Sequence, residues 1–318
     1  MARPAAPAGV VVVDKPRGPT SHDVVARARR TLSTREVGHA GTLDPMATGV
    51  LVLATGEATK LVPYLTAHSK GYTARLVLGT TTETLDAEGI TFARGPLPDA
   101  LLLALRALSA TGDASGFAEA VASELARTSQ APPAYSAIRV DGERAHALAR
   151  RGEEVTLSPR PVSVQRIALV DAGLDPEPWL DVELDVAKGY YVRSFARDLA
   201  AALGTVGHLT SLRRVRSGPF VIAEATPLDT LSLGDLVPLA DAARRALPHL
   251  VLDPDAARAA HAGKQVHAAC IREGPSGPCA WLSEEGSLIA IGERDDAAEG
   301  LPGRVRRGFV PTPNKISK

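Results

Sequence analysis

The spacing of hydrophobic positions changes several times along the chain, and each change predicts an element. Val10 to Val13 is an unbroken valine run that ends at Asp14-Lys15-Pro16, which reads as a short buried strand stopped by proline. Thr20 and Asp23 form a T-x-x-D capping signal ahead of a helix, with Val24, Val25, Ala28 and Leu32 on its inner face and arginines outside. Tyr72 to Leu78 alternates, with Tyr72, Ala74, Leu76 and Leu78 facing one way and Thr73, Arg75 and Val77 the other. Leu180 to Val186 alternates with Asp181, Glu183 and Asp185, so both segments predict half-buried strands. The second strand passes through Lys188-Gly189-Tyr190-Tyr191-Val192-Arg193 into a predicted helix, Ser194 to Leu203, closed by Gly204.

Between these halves, Pro98 to Leu108 predicts an amphipathic helix. Ser109 to Gln130 is alanine-rich and poor in bulky apolar residues, and is expected to shape a surface rather than a pocket. Gly142 to Arg151 predicts another helix, stopped by Gly152, with a strand from Pro161 to Val170 after it. Beyond Pro248 the pattern breaks into short pieces separated by glycine, proline and acidic clusters, ending in a basic tail with Arg304, Arg306, Arg307, Lys315 and Lys318. Strands separated by helices, with hairpins among them, predict an α+β protein: a mixed, largely antiparallel sheet with packed helices. The expected division is a mobile tail over 1–8, a main domain over 9–247, and a small, mostly β domain over 248–318. A chain of 318 residues suits two domains, and no repeat of solenoid length is visible.

Charge narrows the function classes. With 36 basic and 36 acidic residues there is no excess to coat DNA or a membrane surface, so a polyanion must be met by local patches. Arginines gather at Arg27, Arg29, Arg30 and Arg35, at Arg139, Arg144, Arg150 and Arg151, and at Arg213, Arg214 and Arg216; singly, each group reads as a solvated face. No run of about eighteen apolar residues and no export signal is present, so a soluble, cytoplasmic protein is expected. Cys270 and Cys279 read as reduced thiols, and with His261 and His267 they match no zinc-ligand spacing. No G-x-G-x-x-G precedes a helix, and Gly56-Glu57-Ala58-Thr59-Lys60 lacks the spacing of a phosphate-binding loop, so neither cofactor nor metal is expected.

The chemistry is concentrated between Gly38 and Gly49, where three glycines, His39, Asp44 and Pro45 fall within twelve residues. This composition predicts a shaped loop, and Asp44-Pro45 suits either a plain turn or an acid held out into a cleft. The segment GHAGTLDPMATGVL resembles the catalytic loop of the TruB family of pseudouridine synthases. Further segments resemble that family's motifs in the same order: Val13-Asp14-Lys15-Pro16, Lys70-Gly71-Tyr72, Thr82 to Gly89, Pro132 to Ala137 and Gly189 to Ser194.

The resemblance covers about Gly9 to Phe220, and it implies a pseudouridine synthase fold followed by a small PUA-like RNA-binding domain. It implies isomerisation of one uridine, at position 55 in the T-arm of tRNA, by base flipping and without a cofactor. Asp44 would be the nucleophile, Arg193 its counter-charge and Tyr72 the ring stacked on the target base; His39, Lys15, Asp86 and Tyr191 match substrate-pocket positions. A carboxylate in a closed pocket needs such a counter-charge to remain ionised. The segment at about 128–155 corresponds to an RNA-clamping insertion. A folded tRNA elbow is then the expected partner, with no membrane, no required protein partner and a monomeric chain. Attack at the ribose, a glycal route and addition at C6 of the base all stay open. An RNA-folding chaperone and a glycoside hydrolase using Asp44 and Asp86 are the rival classes. One departure from the family pattern lies beside Arg193, where Ala187-Lys188-Gly189-Tyr190 replaces a run that usually ends in Gly-Thr.

Overall fold

The computed structural model describes residues 7–140, 142–298 and 300–310. Most of the expected N-terminal tail (1–6), Lys315 and Lys318 lie outside the described residues. The valine run forms β1 (Gly9–Lys15), and helix α1 (Ser21–Thr31) follows, its first turn closed by a reciprocal Thr20–Asp23 capping box. Next come β2 (Val37–His39), β3 (Thr48–Thr55) and α2 (Val62–Ala67), so both ends of the glycine-rich segment are strands and only its middle is a loop. Strand β4 (Lys70–Leu78) leads into a hairpin, β5 (Thr80–Thr82) with β6 (Thr91–Arg94), and then into helices α3 (Asp99–Thr111) and α4 (Ala118–Leu125).

The following region is built of small pieces: β7 (Ser129–Gln130), β8 (Arg139–Val140), β9 (Glu143–Arg144), α5 (Ala145–Arg150) and β10 (Arg160–Pro161). The helix expected from Gly142 is shortened because Glu143 and Arg144 pair with Val140 and Arg139 as a hairpin. The long strands β11 (Val164–Gly173) and β12 (Trp179–Val186) precede α6 (Val192–Ala202) and β13 (Gly207–Ser217). Short strands β14 (Phe220–Val221), β15 (Thr226–Pro227) and β16 (Val237–Pro238) end at α7 (Leu239–Ala246). The remainder is β17 (His249–Val251), α8 (Pro254–His261), α9 (Ala269–Arg272), β18 (Cys279–Leu282), β19 (Leu288–Arg294) and β20 (Gly303–Gly308).

The main sheet runs β11-β12-β4-β13-β3-β1-β15, antiparallel except where β13 meets β3 and β1 meets β15. The expected α+β class with a mixed, largely antiparallel sheet is therefore the observed one. The alternation along β4 and β12 holds: Leu76, Leu180, Val182 and Leu184 are buried, while Asp181, Glu183 and Asp185 are half-exposed. Leu76, Leu51 and Leu53 are fully buried, and each such side chain contributes roughly 1.5–3 kcal/mol relative to exposure. Leu199, Ala196 and Phe195 of α6 seal the same core.

The alanine-rich segment corrects its surface assignment. Phe117 and Ala120 enter the main core, beside Leu101, Leu105 and Leu108 of the amphipathic helix expected before them. Glu124 of α4 is fully buried and held by Arg127, which also reaches Asp198 of α6. Small residues hid this packing, because alanines let the helices approach closely without supplying an apolar stripe.

The smaller four-stranded sheet runs β17-β18-β19-β20. Its Ala280, Leu282, Leu288 and Ile291 share a core with Leu239 and Ala243 of α7 and with Val10, Val12 and Val52 on the outer face of the main sheet. Trp281 fills the opposite side of this sheet, so closely that a Cβ on Gly292 would lie 2.1 Å from its ring.

Candidate active site

The parallel step between β13 and β3 positions the site. Only Arg213 with Thr48 and Arg214 with Gly49 are paired there. Gly49 has φ +98°, and a Cβ on it would stand 2.2 Å from the Arg214 carbonyl oxygen, so glycine is required for the strands to meet. The loop from Ala40 to Ala47 enters β3 at this junction and carries Asp44 into a cleft of about 510 Å³.

The loop is held by partners in front and behind. Ser21, at the start of α1, accepts the Leu43 N–H at 2.9 Å and donates to the Leu43 carbonyl at 3.1 Å. Behind it, the Lys15 ammonium is fully buried and donates to the carbonyls of Ala47 (2.7 Å), Pro16 (3.0 Å) and Pro45 (3.2 Å). Arg214, also buried, donates to Val50 (2.7 Å), Gly41 (3.0 Å) and Thr42 (3.3 Å). Both cations are spent on backbone oxygens. Burial pushes Lys15 down to about 8, with nearby Asp44 opposing the shift. Burial, then the charge of Arg214, pushes Lys70 down to about 8, and its ammonium donates to the carbonyls of Thr66 (2.6 Å) and His68 (2.5 Å).

Arg193 joins the cleft from the first turn of α6. Its Nη2 donates to Asp44 Oδ1 at 3.1 Å, and its Nε lies 2.9 Å from Oδ2. The same guanidinium donates to the carbonyls of Thr84 and Tyr135, each at 2.9 Å, and its Nη1 stands 3.5 Å from Asp86 Oδ2. Asp86 is buried, and its Oδ1 accepts from the Thr84 hydroxyl (2.6 Å) and the Glu88 N–H (3.0 Å). One fixed arginine thus organises two carboxylates, while the Asp44 side chain keeps a third of its surface open. Burial and the charges of Asp86 and Asp44 raise the Glu88 carboxyl above its ordinary range at the same rim.

Tyrosines line the cleft. Tyr72, Tyr135, Tyr190 and Tyr191 all face it, four of the five in the chain. Tyr191 precedes α6, and its backbone is clamped by buried Gln130, which accepts the Tyr191 N–H at 2.9 Å and donates to its carbonyl at 3.1 Å. Burial raises the phenol of Tyr191 and, more strongly, that of Tyr190. Tyr190 is the departure from the resembling pattern; its buried hydroxyl has no hydrogen-bond partner among the described residues.

Of the sequence-derived site residues, Asp44, Tyr72, Asp86, Tyr191 and Arg193 line one cleft. Lys15 lies behind the Asp44 loop and does not line it. His39 is likewise set back on β2, its basicity lowered by burial and by His22 and Arg214. His22 lines the cleft in its place, its ring meeting that of His39 edge-on at 5.6 Å. His22, Glu88 and Gln130 were not singled out in the sequence; they sit in a helix start, a turn and a two-residue strand, none with a distinctive spacing. The 128–155 segment supplies a wall through Tyr135, Arg144, His146 and Arg150.

The third arginine group is structural rather than a solvated face. Arg213 pairs with Asp14 at 2.7 Å, Arg216 with Asp185 at 2.6 Å, and Arg214 is buried. Among the described residues, no cluster of three or more His, Cys, Asp or Glu side chains could hold a metal, and no helix is long and apolar enough to cross a membrane.

Comparison with known proteins adds sequence and fold relationships. The family model described as TruB family pseudouridylate synthase (N terminal domain) matches residues 29–192. The tRNA pseudouridylate synthase B C-terminal domain matches 193–257. A tRNA pseudouridine synthase B of Arthrobacter sp. (strain FB24) is 41% identical over 296 residues, covering 89% of this chain and 92% of the relative. One from Nocardia farcinica (strain IFM 10152) is 45% identical over 290 residues, covering 89% of this chain and 88% of the relative. The fold also matches a chain from the crystal structure of a Cbf5-Nop10-Gar1 complex, with TM-score 0.68 and 24% identity, over 95% of this chain and 85% of that one.

Proposed function

The chain belongs to the TruB family of pseudouridylate synthases, and we propose that it isomerises the uridine at position 55 in the T-arm of tRNA, with Asp44 as the attacking carboxylate. The observation that carries this reading is the clamp on Asp44. Arg193 meets both of its oxygens at the base of a tyrosine-lined cleft, and the carboxylate remains partly open to an entering nucleotide.

The reaction breaks the N1–C1′ bond, turns the base, and forms a C5–C1′ bond; the proton leaves C5 and N1 ends protonated, so mass is unchanged. Asp44 serves by attack at C1′ as N1 leaves, by taking the C2′ proton as the N1–C1′ bond breaks to give a glycal, or by adding to C6. The guanidinium offsets the cost of desolvating the carboxylate and fixes its direction. Flipping the uridine costs a few kcal/mol, and stacking on Tyr72 returns about 1–3 kcal/mol. Lys15 supports this chemistry by holding the loop, Asp86 by orienting Arg193, and Tyr191 as a second pocket wall. His39 backs His22, which presents the ring toward the nucleotide. Arg144 and Arg150 of the 128–155 segment, both on the cleft wall, are suited to phosphates of a folded RNA.

The hydrolase alternative is disfavoured by Asp86. Its oxygens are occupied by Thr84, the Glu88 N–H and Arg193, and with 5% of its side chain exposed it has no open face for activating water.

The test is incubation with an unmodified tRNA transcript, followed by mapping of carbodiimide-dependent reverse-transcription stops. A stop at the T-arm uridine is expected. Absence of any T-arm stop at saturating enzyme overturns the reading, and release of free base with loss of mass would indicate hydrolysis instead.

A further inference from the structure

Ile90 and Phe92 are the most exposed large apolar side chains of the described residues, at 70% and 72%. Both belong to the β5–β6 hairpin, whose turn supplies Thr84, Asp86 and Glu88 to the cleft wall. The hairpin is not a loose flap. Thr81 donates to the Gly207 carbonyl at 3.2 Å, and Asp86 forms a bridge with Leu209 of β13.

The register of the hairpin sets Phe92 apart. Thr81 pairs with Ala93 and Thr82 with Thr91, so Phe92 is the extra residue of a β-bulge, a feature that re-aims a side chain away from its ladder. Phe92 lies four residues beyond Glu88, hence within about 14 Å of the cleft rim by chain length alone. Arg94, two residues further on the same short strand, is exposed and forms no ion pair with the described residues. An exposed aromatic ring beside an uncompensated guanidinium suits a base and its phosphate better than an apolar protein surface.

We propose that Phe92, flanked by Ile90, is a stacking platform for a base of the RNA substrate other than the isomerised one, and that Arg94 takes a neighbouring phosphate. This rests on the reading of the chain as an RNA-modifying enzyme, and it extends the binding surface from the cleft onto the β5–β6 hairpin. The platform acts in binding and leaves the chemical step alone.

The experiment uses the full chain and an unmodified tRNA transcript, with affinity from fluorescence anisotropy and turnover from pseudouridine mapping. Phe92→Ala is expected to weaken tRNA binding about tenfold while kcat at saturating tRNA stays within twofold of the parent. Phe92→Trp is expected to restore binding, and Arg94→Gln to reduce the slope of log Kd against log salt by roughly one phosphate contact. If the parent chain neither binds nor modifies tRNA, the functional reading has failed. If the parent does both and Phe92→Ala binds equally well, the platform is overturned while that reading stands. Loss of a dimer in sedimentation by Phe92→Ala, with tRNA affinity unchanged, would assign the patch to a second copy and also overturn it.

Discussion

Arg193 grips Asp44 across 149 residues of sequence, with Nη2 donating to Oδ1 at 3.1 Å and Nε 2.9 Å from Oδ2. The grip has a direction because the guanidinium is itself fixed by the Thr84 and Tyr135 carbonyls. A lysine cannot reproduce this arrangement, since its donors diverge from a single nitrogen and cannot span the Asp44 carboxylate and the Thr84 and Tyr135 carbonyls as the planar guanidinium does. Arg193→Lys is therefore expected to lower kcat by at least about 100-fold, with tRNA affinity changed by less than about threefold. Steady-state turnover and anisotropy binding of the same variant check it.

Gln130 couples the 128–155 segment to the start of α6 through both backbone groups of Tyr191. Truncation removes the acceptor of the Tyr191 N–H, while the Tyr191 carbonyl keeps the Phe195 N–H at 3.0 Å, so a loss of about 1 kcal/mol follows. Gln130→Ala is expected to lower stability by that amount in urea denaturation and to reduce kcat more than it raises KM, because Arg193 follows Tyr191 in the chain.

The long elements were legible in the sequence because each carries a clear period. Tyr72 to Leu78 and Leu180 to Val186 alternate, and the Thr20–Asp23 box marks the start of α1. Asp44, Tyr72 and Arg193 were legible only through their motif words, since spacing alone does not say that residues so far apart converge. His39 and His22 show the limit. The motif pointed to the former, but the helix start places the latter on the cleft. The roles of Ser109 to Gln130 and of Arg213 to Arg216 were misread for a common reason. The ion pairing there depends on tertiary partners, Asp198 for Arg127 and Asp14 for Arg213, that lie far away in the chain.

Gly49 permits the parallel contact of β3 with β13. Gly49→Ala places a Cβ against the Arg214 carbonyl at a positive φ that alanine disfavours. A loss of more than about 3 kcal/mol in unfolding free energy is expected, read from the urea midpoint.

Lys15 and Lys70 give the fold a pH signature. Burial lowers both from 10.5 to about 8. Between about pH 8 and 10.5 the unfolded chain holds protons that the folded chain has released, so these two groups make stability rise with pH across that window. Below about pH 8 both states are protonated and their contribution is flat. Comparing pH 7.5 with 9.5, the parent is expected to gain roughly 1 kcal/mol or more relative to a Lys15→Met/Lys70→Met variant. An identical pH trend in the two proteins would contradict the assignment.

The central claim is that the Asp44 carboxylate performs the isomerisation while the rest of the cleft binds the RNA. Asp44→Asn preserves the size of the side chain and removes its charge. Carbodiimide-dependent stops on an unmodified tRNA transcript, measured for the parent and for Asp44→Asn at equal fractions of bound RNA, test it most directly. A stop at the T-arm uridine with the parent and none with the variant is the predicted result; full turnover by Asp44→Asn would contradict it.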